Sequence, residues 1–179
     1  MDHPLSGRCF PYRKKNPKIL VIGHARHGKD TVAQMICDHF DLTFKSSSEA
    51  AAEIFIFERL KEKYDYKTFL ECFEDRVNHR KEWHDLITDY NAKNPSRLAE
   101  EILEKNDMYV GMRSNLEVEA CLYKGLFDIV LGVFDPRKPL ESEDSFSINI
   151  WEKSHFIIPN AGSLADLEDR IKILKPIFV

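Results

Sequence analysis

The chain is predicted to adopt an α/β fold: a three-layer sandwich with a parallel sheet of about five strands and helices on both faces. Three observations predict it. Short apolar runs at 18–22, 108–112, 127–134 and 155–158 read as strands buried on both sides. Segments of helical period separate them, as crossovers between parallel strands require. The first run leads directly into Gly23-His24-Ala25-Arg26-His27-Gly28-Lys29-Asp30-Thr31 and then a helix-compatible segment. That is the strand–loop–helix setting in which G-x-x-x-x-G-K forms a P-loop.

Taken in order, residues 1–17 carry Pro4, Gly7, Pro11, Pro17 and the basic run Arg13-Lys14-Lys15, and are expected to be an irregular arm. A single domain over 18–179 follows. Strand 18–22 ends at Gly23, and helix 29–40 begins at the loop lysine. Asp41 to Lys45 reads as a short second strand. Ser46-Ser47-Ser48 with Glu49 caps a helix running to about Lys63. Helices near 67–74, 77–91 and 95–105 make a polar middle, so that 46–106 is expected to receive an acceptor. Strand 108–112 and helix 115–124 come next, then the buried strand 127–134. A lid-like loop over 135–146 holds Asp135-Pro136-Arg137-Lys138-Pro139 and the acidic Glu141, Glu143 and Asp144. Strand 155–158 and an amphipathic helix from Ser163 to Leu174 close the chain. In an open parallel sheet the ligand crevice lies at the carboxyl ends of the strands, beside the P-loop.

Composition narrows the function classes. A length of 179 residues suits one domain with a real core, and 43% hydrophobic with 31% charged residues is ordinary for a globular protein. The net charge of −4 gives no global attraction for nucleic acid, so any polyanion must be met by local basic groups. Cys9, Cys37, Cys72 and Cys121 are scattered without a C-x-x-C pair, which argues against zinc and for a reducing compartment. No apolar run approaches the ~20 residues of a membrane span. The first residues lack a signal-peptide core, and Asn94-Pro95-Ser96 is blocked as a glycosylation site by its proline. A cytoplasmic protein without membrane partners is expected.

The chemistry centres on the loop. Its glycines let the backbone fold so that successive N–H groups, with the positive end of the next helix, face one concavity fit for phosphates. Gly23, His24, Ala25, Arg26, His27, Gly28, Lys29, Asp30 and Thr31 are therefore the candidate nucleotide-binding residues, with Lys29 reaching the β- and γ-phosphates. The residue after the lysine, usually Ser or Thr, is Asp30. It can serve Mg²⁺ directly or through water, act as a general base, or simply suit a helix N-terminus. Histidines 24 and 27 lack a third ligand and read as loop-shaping or phosphate-adjacent rather than as metal ligands.

Beyond the loop, Arg113 follows the third strand and Arg137 sits in the lid-like loop; both are candidate catalytic cations. The alternatives are an Arg113–Glu117 surface pair and a solvated loop. Asn160 follows the last strand, where the backbone up to Ser163, the next helix cap, would border an adenine. Between Cys72 and Trp83, donors are dense. At helical spacing Arg76, Arg80 and Trp83 share a face, where Arg76 and Arg80 repel each other at i,i+4, which favours a nearby anion. Asp75, Arg76, Asn78, His79, Arg80 and Trp83 thus form a candidate acceptor site, with Trp83 or Tyr109 as a stacking face. The other reading is a solvated helix with pairs such as Asp75–His79.

On these residues the chain resembles two related groups. Gly-x-x-x-x-Gly-Lys-Asp-Thr, Ile158-Pro159-Asn160-Ala161-Gly162-Ser163-Leu164 and the final helix are similar to the bacteriophage deoxynucleoside monophosphate kinases. Arg113 and Glu117 resemble that group's Asp-x-Arg…Glu element, except that Gly111 stands where its Asp would be. Gly23 to Val32, Ser46 to Glu49, Cys72 to Arg80 and Tyr109 to Arg113 resemble the phage 5-hydroxymethyluracil DNA kinases. The resemblance implies a nucleoside-monophosphate-kinase-like P-loop fold, ATP with Mg²⁺, and transfer of the γ-phosphate to the hydroxymethyl group of 5-hydroxymethyluracil in DNA. Within that implication Ser47, Ser48 and the 75–83 residues contact the acceptor. The alternative acceptor is a free deoxynucleoside monophosphate, which is already ionised and needs no base. An alcohol acceptor does benefit from one, either Asp30 or Asp75.

Overall fold

Ile19–Ile22, four aliphatic residues in a row, form β1, and each is fully buried. Side chains alternate across a strand. Ile19 and Val21 enter one core layer, while Leu20 and Ile22 enter the other. A strand that is apolar on both faces must lie in the middle of a covered sheet. In the computed structural model, which describes residues 16–178, it does. The expected basic run Arg13-Lys14-Lys15 and nearly all of the N-terminal arm lie outside the described residues.

The sheet has five strands in the order β2-β3-β1-β4-β5, all parallel. They are β2 (Phe44–Ser46), β3 (Met108–Val110), β4 (Ile129–Phe134) and β5 (Phe156–Pro159), with β1 central. One face is covered by α1 (Lys29–Phe40), α9 (Leu164–Lys172) and the terminal turn α10 (Lys175–Phe178), through Val32, Ala33, Ile36, Leu167, Ile171 and Phe178. The other is covered by α2 (Ser47–Ala51), a π-helical turn (Ala52–Ile56), α3 (Phe57–Tyr64), α4 (Phe69–Asp75), α5 (Arg80–Asn91) and α6 (Arg97–Leu103). α7 (Asn115–Tyr123) and the short α8 (Ile150–Lys153) complete that layer.

After β1 the chain runs out to β2 and β3 on one side, then crosses back to β4 on the other. The carboxyl end of β1 is thus the point where the winding reverses, which is where a sheet of this kind binds its ligand. The loop that leaves β1 at this point is the G-x-x-x-x-G-K segment.

Several expected boundaries shift. The second strand forms at Phe44–Ser46 rather than 41–45, because Asp41 takes the left-handed conformation that ends α1 (φ 53°). The helix expected to reach 63 is interrupted by the π-helical turn. The helix expected over 77–91 starts only at Arg80: Asn78 N–H donates to Asp75 O and His79 N–H to Arg76 O, forming a turn. α8, capped by Asn149, and α10 were not expected.

Candidate phosphate-binding site

The loop is bent by left-handed residues. Arg26 has φ 64° and Gly28, the residue before α1, has φ 88°. Such alternation turns consecutive N–H groups toward one concavity. Among the described residues, the amides of Arg26, Gly28, Lys29 and Asp30 donate no hydrogen bond, and α1 starts directly behind them. A helix N-terminus with unpaired amides is an anion site.

Lys29 is half-buried, and its Nζ donates to the carbonyl of His24 at 2.7 Å. Burial, reinforced by Arg113 and opposed by Asp30 and Glu141, lowers its pKa to about 8. A largely buried ammonium beside a helix N-terminus wants an anion. The sign follows from linkage. The empty site holds the proton more weakly than a site filled by phosphates, so above pH about 8 binding must take up a proton. Mg·ATP affinity should therefore hold below pH about 8 and weaken above it. Calorimetry in buffers of different ionisation enthalpy checks this as net proton uptake on the alkaline side.

The lid-like loop lies on the P-loop, and two imidazoles fasten it there. His24 Nδ1 accepts from the Glu141 amide at 3.1 Å. His27 Nδ1 accepts from the Asp135 amide at 3.0 Å, which leaves its Nε2 proton facing Pro139 O at 3.3 Å. Burial, with His27 nearby, lowers the His24 pKa and keeps that imidazole neutral and able to accept. Both histidines thus tie the P-loop to the lid-like loop through their side chains. Arg113 does not pair with Glu117. Its Nη1 donates to Glu141 Oε1 at 2.6 Å and to Ser145 O at 3.2 Å. Glu117, in the first turn of α7, is instead half-buried, accepts from Asn91 Nδ2 at 2.8 Å, and has its pKa raised by burial.

Arg137 grips the buried carboxylate of Asp135 with Nε and Nη2 (2.8 and 3.0 Å), and Nη2 also donates to Asn160 O. It is thus placed between the lid and the loop after β5. Asn160 proves to be a brace for the P-loop: its Nδ2 donates to His27 O at 3.0 Å and its amide to Phe134 O at 2.8 Å. Asn160→Ala leaves His27 O without that donor, a loss of about 1 kcal/mol. A fall in Tm of about 2–4 °C, measured by calorimetric melting, should accompany a higher KM for ATP.

The donor-rich segment differs most from expectation. Trp83 is only 4% exposed, packed in the core near Phe73, and Tyr109 is 1% exposed, so neither offers a face to a base. Arg76 lies in the turn between α4 and α5, stacked 3.9 Å over the Phe73 ring and donating to Phe73 O. Arg76 and Arg80 therefore do not repel along one helix, and no anion is needed to reconcile them. Asp75 is held by Tyr66 Oη, Asn78 Nδ2 and His79 Nε2. Those bonds, Tyr66 foremost, hold its carboxyl below the usual range and leave it a poor base. Asn78, His79 and Arg80 do line an open basin of about 480 Å³ with Lys63, Lys81 and several carboxylates, but no P-loop residue borders it. Ser46, not Ser47 or Ser48, caps α2, while Ser47 Oγ donates to Gly111 O at 3.2 Å at the carboxyl ends of β2 and β3.

For Mg²⁺, no group of three or more His, Cys, Asp or Glu among the described residues is arranged to hold a metal unaided. The residue that follows β3 is Gly111, without a carboxylate. Asp30 is exposed on the first turn of α1, next to Lys29, and its hard oxygen donors suit Mg²⁺ that is otherwise held by phosphates and water. Glu141 was missed as a site residue, because only the fold brings it 116 positions back to Ala25. Its presence in a loop already marked as lid-like was the one signal available.

Solved structures place the fold. The dephospho-CoA kinase from Campylobacter jejuni aligns with a TM-score of 0.52 at 18% identity, over 90% of this chain and 96% of that one. The shikimate kinase from Acinetobacter baumannii, in complex with shikimate, aligns with a TM-score of 0.51 at 16% identity, over 90% and 93%. The fold is the nucleoside-monophosphate-kinase-like P-loop α/β fold. No protein-family model matches the sequence, and a search of curated proteins finds no significant match. No helix among the described residues is long and apolar enough to cross a membrane.

Proposed function

We propose that this chain is an ATP-dependent kinase that transfers the γ-phosphate to the hydroxymethyl group of 5-hydroxymethyluracil in DNA. One observation carries the kinase reading: unpaired amides at the start of α1, a half-buried Lys29 and Arg113 converge on one crevice at the sheet's switch point. Two neighbours that share the fold are kinases by name, a dephospho-CoA kinase and a shikimate kinase, which supports it.

In this reading the amides of 25–29 and the Lys29 ammonium hold the β- and γ-phosphates, fixing the leaving oxygen in a preorganised field. Bound Mg²⁺ would neutralise phosphate charge, with Asp30 as its protein ligand or the base toward the acceptor hydroxyl. Arg113, once free of Glu141, meets the charge that develops on the transferring group. Arg137, fixed by Asp135, lines the nucleotide side near Asn160.

The acceptor rests on the sequence resemblance of Gly23–Val32, Cys72–Arg80 and Tyr109–Arg113. Exposed Arg80 and Lys81, with Arg13, Lys14 and Lys15, are the proposed contacts to a DNA strand. The burial of Trp83 and Tyr109 favours the second reading, a free deoxynucleoside monophosphate, since neither of these rings is free to stack on an extruded base. Labelled ATP offered with hydroxymethyluracil-containing DNA and with free deoxynucleotides separates them. Label on DNA supports the first reading; label on nucleotides alone replaces it with the second. Label on neither refutes both acceptors.

A further inference from the structure

A carboxylate already sits in the cradle. Glu141 Oε2 accepts from the Ala25 amide at 2.5 Å, while Oε1 accepts from Arg113 Nη1 at 2.6 Å. We infer that Glu141 is a built-in stand-in for a nucleotide phosphate, plugging the P-loop until a triphosphate displaces it. This rests on the reading of 23–31 as a phosphate cradle.

The physical case is one of equivalence and exclusion. A carboxylate and a phosphate present the same thing to an amide and a guanidinium: an anionic oxygen that accepts short, charge-assisted hydrogen bonds. Glu141 takes one bond from the P-loop backbone and one from the cation at the end of β3, a pattern a bound phosphate would make. Burial works against its charge, yet Arg113, the Ala25 amide and Lys29 outweigh it and hold its carboxyl below the ordinary range. A triphosphate cannot share that space with a fixed negative charge. On entry it takes the Ala25 amide and Lys29, and Glu141 is repelled.

Displacement has a second consequence. Arg113 is occupied by Glu141 and Ser145 O in the empty protein, so the departure of Glu141 releases its guanidinium. The same segment is clasped by His24, through the Glu141 amide, and by His27, through Pro139 O, so moving Glu141 moves the loop. Donor binding, lid movement and the freeing of Arg113 are then one event. Nucleotide affinity is lowered in proportion to the stability of the plug, as for any ligand that must displace an internal competitor.

The test is equilibrium binding to the full chain, using Mg·ATP and, separately, inorganic tripolyphosphate, which engages only the phosphate cradle. Glu141→Gln keeps the size of the side chain and removes its charge; Glu143→Gln, an exposed carboxylate in the same loop, is the control. Glu141→Gln should bind both ligands about tenfold more tightly than wild type, with Glu143→Gln unchanged, and melting curves confirm that all three are folded. A side chain that merely held the loop together would weaken binding or leave it alone, never tighten it. If wild type binds both ligands and Glu141→Gln binds no more tightly, the plug is refuted while the cradle stands. If wild type binds neither ligand, cradle and plug fall together.

Discussion

Lys29→Ala is expected to yield a folded protein that has lost phosphate transfer, with kcat/KM for ATP down by at least about a hundredfold, or ~3 kcal/mol of transition-state stabilisation. The fold should not suffer, because the empty site tolerates the ammonium poorly. Burial and Arg113 bring its pKa down to about 8, so the charge present at neutral pH is a burden on the unliganded protein. Its folded pKa lies below its unfolded one; the unfavourable contribution is therefore full below pH 8 and fades only as pH rises toward the ordinary lysine range. Removing the side chain forfeits one hydrogen bond to His24 O and relieves that burden, so Tm should barely change. Paired melting and steady-state assays check both halves. A variant that unfolds would mean Lys29 is structural, and one that still transfers phosphate would mean the loop does not hold the donor.

Gly23→Ala is expected to have the opposite profile, a large loss of stability. Gly23 leaves β1 at φ 153°, and a Cβ there would stand 2.4 Å from the carbonyl oxygen of Val133. That oxygen belongs to the backbone of β4, paired to its neighbours on both sides of the strand, and cannot swing away. Overpacking against backbone together with an unfavourable dihedral costs about 2–4 kcal/mol. In a domain of this size Tm should fall by roughly 5–15 °C. Gly28 makes the contrast: its Cβ would meet Asn160 Nδ2 at 2.2 Å, the tip of a side chain that can rotate aside. Gly28→Ala should therefore disturb the brace on the P-loop more than the sheet. Differential scanning calorimetry of the Gly23 variant, with Gly28→Ala beside it, reads the difference.

What was legible in the sequence was whatever is local. Ile19–Ile22 is apolar at every position, so its burial on both faces needed no tertiary information. The spacing from Gly23 to Lys29 encodes the bend because the backbone geometry lies within those few residues. Ser163 caps its helix through bonds spanning three positions, again a local matter.

The 72–83 segment failed for the converse reason. Its apparent face of arginines assumed a continuous helix, whereas a turn at 76–79 rotates Arg76 onto Phe73. Trp83 reads equally well as a stacking platform or as core, and only its packing against Phe73 of α4 decides for core. The Arg113–Glu117 pairing failed because Asn91 and Glu141, from distant elements, took the two partners. Glu141 itself could be named as acidic and in a lid-like loop, but nothing in its neighbourhood along the chain says that it reaches Ala25.

The most direct measurement is a crystal structure of the full chain with Mg²⁺ and a non-hydrolysable ATP analogue. The expected result has the β-phosphate within about 3 Å of the amides between Ala25 and Lys29. The Lys29 ammonium would have left His24 O for the phosphates, and Glu141 would be out of the cradle. An analogue seated elsewhere, with those amides pointing away from it, contradicts the assignment of this crevice as the donor site.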